Sequence, residues 1–270
     1  FNIIPQLFLA KNGLKEKKIV ILGDRDKVEM EDQIRNRIGA EALRRVVCRS
    51  GNPIEMSDLE ITNPNESSGI LILAPEGDNP DAEVIKTVLA ITRNPNRRVE
   101  PYRIIGGLRE KNNRELGKVI GSGEVEWIFT GQVVARLLAQ SCNQPGLSVV
   151  YTELLDFTGD EIYFFDEAGL IGRTYREALG YFEKGAVIGL MQGNVVTLNP
   201  PMTTYIRPGD QLVAIACDDH GLVRAERPPT REECIVTKPI NGRKSENVII
   251  LGWSERGIEL LRELNYYLPQ

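Results

Sequence analysis

Two acidic runs carry the side chains most capable of holding a ligand. Glu76, Asp78 and Asp81 sit around Gly77 and Pro80, directly after an apolar run at 69–73. Asp24 and Asp26, with Glu29 beyond, follow a second apolar run at 18–23. Carboxylates at this density present several hard oxygens, the ligand type that hard divalent cations take. Gly77 and Pro80 permit a turn that aims Glu76, Asp78 and Asp81 at one another, and the two runs are placed to share one ion. The same residues also read as a helix start: Asp81 and Glu83 suit a first turn, where the helix dipole favours negative charge. Neither run has EF-hand spacing. Asp156, Asp160 and Glu161 form a third acidic group.

Phosphate chemistry is poorly served. A pyrophosphate needs free N–H groups at a helix start and glycines that let it approach. The turn after 18–23 offers only Gly23 and then charged residues. The turn at 252–257 keeps the outer glycines of GxGxxG, Gly252 and Gly257, but has Ser254 at the middle position and Glu255 beside it. A side chain and a like charge there both oppose phosphate, so NAD is disfavoured and Ser254 reads as a helix cap. Catalytic groups are equally thin. The single histidine, His220, lies in a polar turn, and GxSxxG is not a nucleophile elbow. The chain does not read as an enzyme.

These candidates hang on an alternation of elements. Apolar runs at 18–23, 45–48, 69–73, 102–105 and 125–129 read as buried strands, separated by helical segments at 26–39, 81–92, 113–119 and 132–141. Strand–helix alternation predicts a parallel sheet with helices on both faces. After the Gln144-Pro145-Gly146 turn comes a helix at 147–155. Short strands then follow at 161–165, 186–191, 195–198 and 211–217, with a helix at 175–181. The prediction is α/β: a Rossmann-like parallel sheet followed by a smaller α+β lobe.

The ends set further expectations. Phe1, Ile4 and Phe8 share a helical face, and Gly13 suits its cap. An apolar run at 248–251 reads as a strand and the segment after it as a helix, a pair that cannot bury itself alone. The expected division is an α/β lobe over 1–143 that lacks its first strand, a second lobe over 144–224, a polar, proline-bearing linker over 225–246, and the start of another α/β unit over 247–270. In this reading the run at 248–251 supplies the absent strand, in the same chain or a neighbour.

Bulk properties narrow the function. The chain has 270 residues and a formal net charge of −5, a balance that argues against a nucleic-acid partner. Cys48, Cys142, Cys217 and Cys234 are far apart, without CxxC, as in proteins of reducing compartments. No apolar run is long enough to span a bilayer.

Several stretches resemble the CASTOR/POLLUX ion channels and their bacterial relatives. They are the run from Asp24 through Glu31, residues 46–53 with Asp58 and Leu59, residues 69–83 with Thr87, Val88 and Leu89, the turn from Gln144 to Leu147, and residues 207–213. The resemblance covers about 1–220, and 248–264 resembles the start of a second repeat. It implies an RCK gating-ring domain on the cytoplasmic side of a membrane. Such a domain assembles into a dimer or tetrameric ring, is joined to a transmembrane pore in the same polypeptide, and is regulated by calcium. Glu76, Asp78, Asp81, Asp24 and Asp26 are then the candidate ligands. Two alternatives stay open: a separate nucleotide-binding regulator of a potassium transporter, and an NAD-linked oxidoreductase.

Overall fold

The computed structural model describes residues 3–9, 18–109, 113–121, 123–217, 224–225, 247–254 and 256–267. Its contacts divide the chain into unit 1, Phe1–Leu147 with Leu251–Gln270, and unit 2, Ser148–Ile250. The linker expected at 225–246 and His220 lie almost wholly or wholly outside the described residues.

In unit 1 the apolar runs become short parallel strands. They are β1 (Ile19–Gly23), β2 (Val46–Ser50), β3 (Ile70–Ile72), β4 (Ile104–Leu108) and β5 (Val125–Phe129). β1 pairs with β2, and β3, β4 and β5 pair in that order, all parallel. The helices are α1 (Ile3–Leu9), α2 (Lys27–Ile38), α3 (Met56–Glu60), α4 (Pro80–Thr92), α5 (Arg114–Gly121) and α6 (Thr130–Asn143). The α/β expectation is met, but the sheet comes in two parts rather than one.

Each part has its own core. Ile4 of α1, Ile34 of α2, and Val46 and Cys48 of β2 form one cluster. The other is built on α4, whose Val84, Val88 and Ile91 pack with Ile104 and Leu108 of β4. Burying each such side chain contributes about 2 kcal/mol. β4 is the best covered strand of unit 1, and its glycine at 106 has a steric cause: a Cβ there would lie 2.8 Å from the Trp127 ring on β5. Trp127 Nε1 in turn donates to the Gly117 carbonyl of α5 at 2.9 Å.

The amino ends of β3, β4 and β5 are tied by polar contacts. Arg97 donates twice to the Glu124 carboxylate, at 2.9 and 2.7 Å, and Glu124 also accepts from Tyr102 N at 2.8 Å. Tyr102 is buried, and its hydroxyl donates to Asn65 Oδ1 at 2.6 Å. Arg98 reaches the carbonyls of Asn65 and Ser67. This is why the fourth strand begins at Ile104 and not at Tyr102: Tyr102 is an anchor ahead of the strand.

Unit 2 holds α7 (Leu147–Leu155), whose first residue falls in unit 1, and the strands β6 (Glu161–Phe165), β7 (Ala186–Gln192), β8 (Val195–Leu198) and β9 (Gln211–Ala216), with α8 (Tyr175–Ala178) between β6 and β7. The strands form one antiparallel sheet in the order β6-β9-β7-β8. Leu170, Tyr175, Leu190 and Leu212 fill its core. Thr174 and Glu177 make a capping box at the start of α8. Asp210 closes the turn before β9 by accepting from Arg207 N at 2.8 Å and Gln192 Nε2 at 2.7 Å.

The expected strand at 248–251 is not found. Residues 247–251 pair with no strand among the described residues, and Ile249 and Leu251 are 81% and 92% exposed. An apolar run becomes a strand only where a neighbouring edge meets it. The helix after it, α9 (Arg256–Tyr267), packs on α6, with Arg136 Nε 3.2 Å from Glu263 Oε1.

The Arg97 guanidinium, first by its hydrogen bonds, holds the Glu124 carboxyl below its ordinary value of 4.5. A lowered folded value means that this stabilisation is complete above the ordinary value and is lost as pH falls through the folded one. Glu124→Gln lowers unfolding free energy by about 2 kcal/mol at pH 7. The deficit shrinks in urea titrations carried well below the ordinary carboxylate value.

Candidate functional site

Ligands of open α/β sheets settle at the carboxyl ends of the strands. The acidic runs occupy that end of β1 and β3, as their sequence positions require. The structure gives their residues different tasks.

Asp26 is the N-cap of α2. Its Oδ1 accepts from Val28 N at 2.8 Å and Glu29 N at 3.2 Å. The first-turn N–H groups that would receive a phosphate are therefore already held by a carboxylate. Asp24 lies two residues earlier and is exposed.

The β3–α4 loop does not gather its three acids. Asp81, in the first turn of α4, is only 4% exposed. Its Oδ1 accepts from Arg109 N at 2.8 Å and its Oδ2 from Asn113 Nδ2 at 2.7 Å. Both oxygens thus fasten the segment after β4 to the start of α4. Glu76 and Asp78 stay exposed on either side of Gly77, which has φ +146°. Glu83 is paired with Lys86 at 2.8 Å. Among the described residues no three of His, Cys, Asp and Glu form a group able to hold a metal ion. In the third acidic group, Asp156 Oδ1 accepts from Thr158 N at 3.0 Å, and Glu161 Oε1 accepts from the Tyr163 hydroxyl at 3.2 Å.

The turn after β2 is structural. Asp58 Oδ2 accepts from Asn52 N at 2.8 Å, and Gly51 N donates to Gly23 O at 2.8 Å, tying this turn to the end of β1. A Cβ on Gly51 would come within 2.8 Å of Asp58 Oδ2, so glycine is required there. Arg49 donates to the Cys48 carbonyl and not to Asp58. At the chain's second glycine turn, Gly252 has φ +95°, and Gly257 N donates to the Ser254 carbonyl at 2.8 Å.

A cavity of about 220 Å³ lies at the opposite, amino end of the strands. Asn63, Asn65, Asn94 and Tyr102 help to line it. Asn65 Nδ2 donates to Asn96 O at 2.9 Å and Asn96 Nδ2 to Glu60 Oε1 at 2.8 Å. The reading of the sequence missed this clamp. Its signal is the tripeptide Asn-Pro-Asn, present at both 63–65 and 94–96.

A family described as Castor and Pollux, part of voltage-gated ion channel, matches residues 131–231. The probable ion channel CASTOR of Oryza sativa subsp. japonica is 27% identical, over 99% of this chain and 30% of its own length. The ion channel CASTOR of Lotus japonicus is 28% identical, over 93% of this chain and 30% of its own length. The calcium-gated potassium channel TvoK of Thermoplasma volcanium is 25% identical, over 73% of this chain and 58% of its own length. The chain thus spans about 30% of the length of the curated plant relatives. The human SLO3 gating ring is similar in structure, with a TM-score of 0.58 at 20% identity, over 76% of this chain and 40% of that one. These relatives are ion channels and not enzymes, as the sequence reading expected. No helix among the described residues is long and apolar enough to cross a membrane.

The two carboxylates of the β3–α4 loop should respond differently to truncation. Asp81→Ala strands the Arg109 N–H and costs about 1–3 kcal/mol in urea unfolding. Asp78→Ala stays within about 0.5 kcal/mol of the parent. Equal costs would contradict the division of labour drawn from the geometry.

Proposed function

We propose that this chain, a distant homologue of the CASTOR/POLLUX channel region with an RCK-like fold, is a regulatory module that senses a ligand and couples its binding to the opening of a cation-conducting pore. The observation that carries this reading is the extent of the match. Similarity to ion channels runs through 93–99% of the chain, across both units, and not through a single motif.

The module works by differential affinity. A ligand shifts a channel toward opening only if it binds the ring in its open-favouring shape more tightly than in the closed one. The pore lies in the same polypeptide, on whose cytoplasmic side copies of the module join as a dimer or a tetrameric ring. Residues 225–246 form a linker, and 247–270 open a further α/β repeat whose helix α9 rests on α6.

The proposed effector is calcium. Support comes from the name of the Thermoplasma relative, a calcium-gated channel, and from exposed carboxylates at the carboxyl ends of two parallel strands. Asp24 on one loop, and Glu76 and Asp78 on the other, are the exposed carboxylates at these ends, and they are not gathered into one three-ligand group. Asp26 and Asp81 hold the two loops in place through the backbone groups they accept from. Water completes the shell, since calcium takes six to eight oxygens.

Calcium titration of the protein followed by thermal unfolding tests this. A cation at a hundredfold excess over its Kd stabilises the bound form by about 2.7 kcal/mol, a rise of about 5 °C or more for a chain of this size. The rise should vanish when Asp24→Asn and Asp78→Asn are combined. A flat titration of the parent protein rejects calcium as the ligand while leaving the regulatory reading in place.

A further inference from the structure

We infer that the cleft at the amino ends of β3 and β4 is a second ligand site, which takes a small uncharged molecule with an amide-type edge, an acceptor beside donor hydrogens. It stands apart from the acidic loops, which lie at the other ends of the strands. The two Asn-Pro-Asn tripeptides build it. Residues 63–65 follow α3, residues 94–96 follow α4, and both help to line the cavity of about 220 Å³.

The second asparagine of each tripeptide is spent on the fold. Asn65 accepts from Arg98 N and the Tyr102 hydroxyl and donates to Asn96 O. Asn96 Nδ2 donates to Glu60 Oε1. The first asparagine of each is not spent in this way. Asn94 is only 6% exposed. Its Oδ1 accepts from Asn96 N at 2.8 Å, which fixes the orientation of the amide and leaves Nδ2 with no acceptor among the described residues. Buried donors in folded proteins are met by an acceptor, and for this one the acceptor has to come from outside the chain. Asn63 is exposed, sits in left-handed backbone at φ 52°, and makes no side-chain hydrogen bond among the described residues.

The other polar groups of the cleft set the charge of the ligand. Arg97 is committed elsewhere: its guanidinium donates to the Glu124 carboxylate, to Thr92 O at 2.9 Å and to Arg98 O at 3.3 Å. Glu60 has its Oε1 on Asn96, and its Oε2 is unpaired among the described residues. An anion would meet that carboxylate with no open cation to offset it. Asn94 Nδ2 donates, Glu60 Oε2 and Asn96 Oδ1 accept, and the Asn63 carboxamide does both. A neutral amide complements such a set, and so does the edge of a nucleobase, which pairs with asparagine through adjacent donor and acceptor atoms.

Volume and walls favour an organic ring over water. A water takes about 30 Å³ and a cavity of about 150 Å³ holds benzene, so this one suits a planar molecule of about ten heavy atoms. Leu59 and Ile91, both buried, line it with apolar surface. Apolar walls with a few convergent polar groups are the usual make-up of a small-molecule site.

Titration of the whole chain with benzamide, adenine and benzoate, followed by protein NMR, tests this. Benzamide, adenine or both should give saturable shifts of the Asn63 and Asn94 side-chain amides, with a Kd of about 1 mM or tighter and benzoate about tenfold weaker or more. Binding of adenine alone identifies a nucleobase as the ligand, and binding of benzamide alone a primary carboxamide. Asn94→Asp keeps the oxygen that accepts from Asn96 N and removes the donor, and it weakens binding about tenfold or more. Asn63→Gly gives a loss through a change that left-handed backbone tolerates. Absence of saturable shifts with either neutral probe at about 10 mM, the mark of a cleft that holds water only, would overturn the inference. So would benzoate binding as tightly as benzamide, or affinity unchanged in both variants. Calcium is absent from every arm, so failure here is distinct from failure of the effector reading.

Discussion

A parallel strand carries hydrogen-bonding groups along both edges, and unit 1 is organised by where those edges are met. β4 is met on both sides and is the best covered strand of the unit. The helix laid across it, α4, contributes half of the buried residues of the larger core. The polar clamp around Glu124, Tyr102 and Asn65 sits at the amino ends of the same strands and fixes their alignment. The two acidic loops fall at the other end, away from that clamp.

The acidic residues show how a folding requirement competes with a binding one. A carboxylate beside a helix start is drawn to the nearest N–H groups before any ion arrives. Asp26 and Asp81 are both used in this way, one within its own helix and one across to the segment after β4. The residues left with exposed oxygens are those one or more positions outside the helix, Asp24, Glu76 and Asp78. The candidate site is thus split between residues that shape the loops and residues that can reach a ligand.

Strand and helix positions were largely legible, because apolar runs and turn residues are local signals. β5, α7, β6 and β8 have the bounds that the runs suggest. The misses are non-local. Pairing decides whether an apolar run is a strand, which is why 248–251 is not one. The inward turn of Asp81 depends on Arg109, 28 residues away, and nothing in the loop itself announces it. The helix expected over 175–181 ends at Ala178 because Gly180 follows and Tyr181 N turns back to the Ala178 carbonyl at 3.1 Å. The family resemblance was legible from motifs that the structure shows to be turn chemistry, Asp58 holding the Gly51–Asn52 turn above all.

The docking of α9 on α6 makes unit 1 discontinuous in sequence, with unit 2 as an excursion between its two parts. Arg136 and Glu263 are separated by 127 residues. Bringing such distant positions together costs loop-closure entropy that a local contact does not, and high contact order slows folding. α9 is therefore the element of unit 1 whose docking closes the longest loop. On a ribosome, the sheet is complete to β5 long before the helix that finally leans on it has been made.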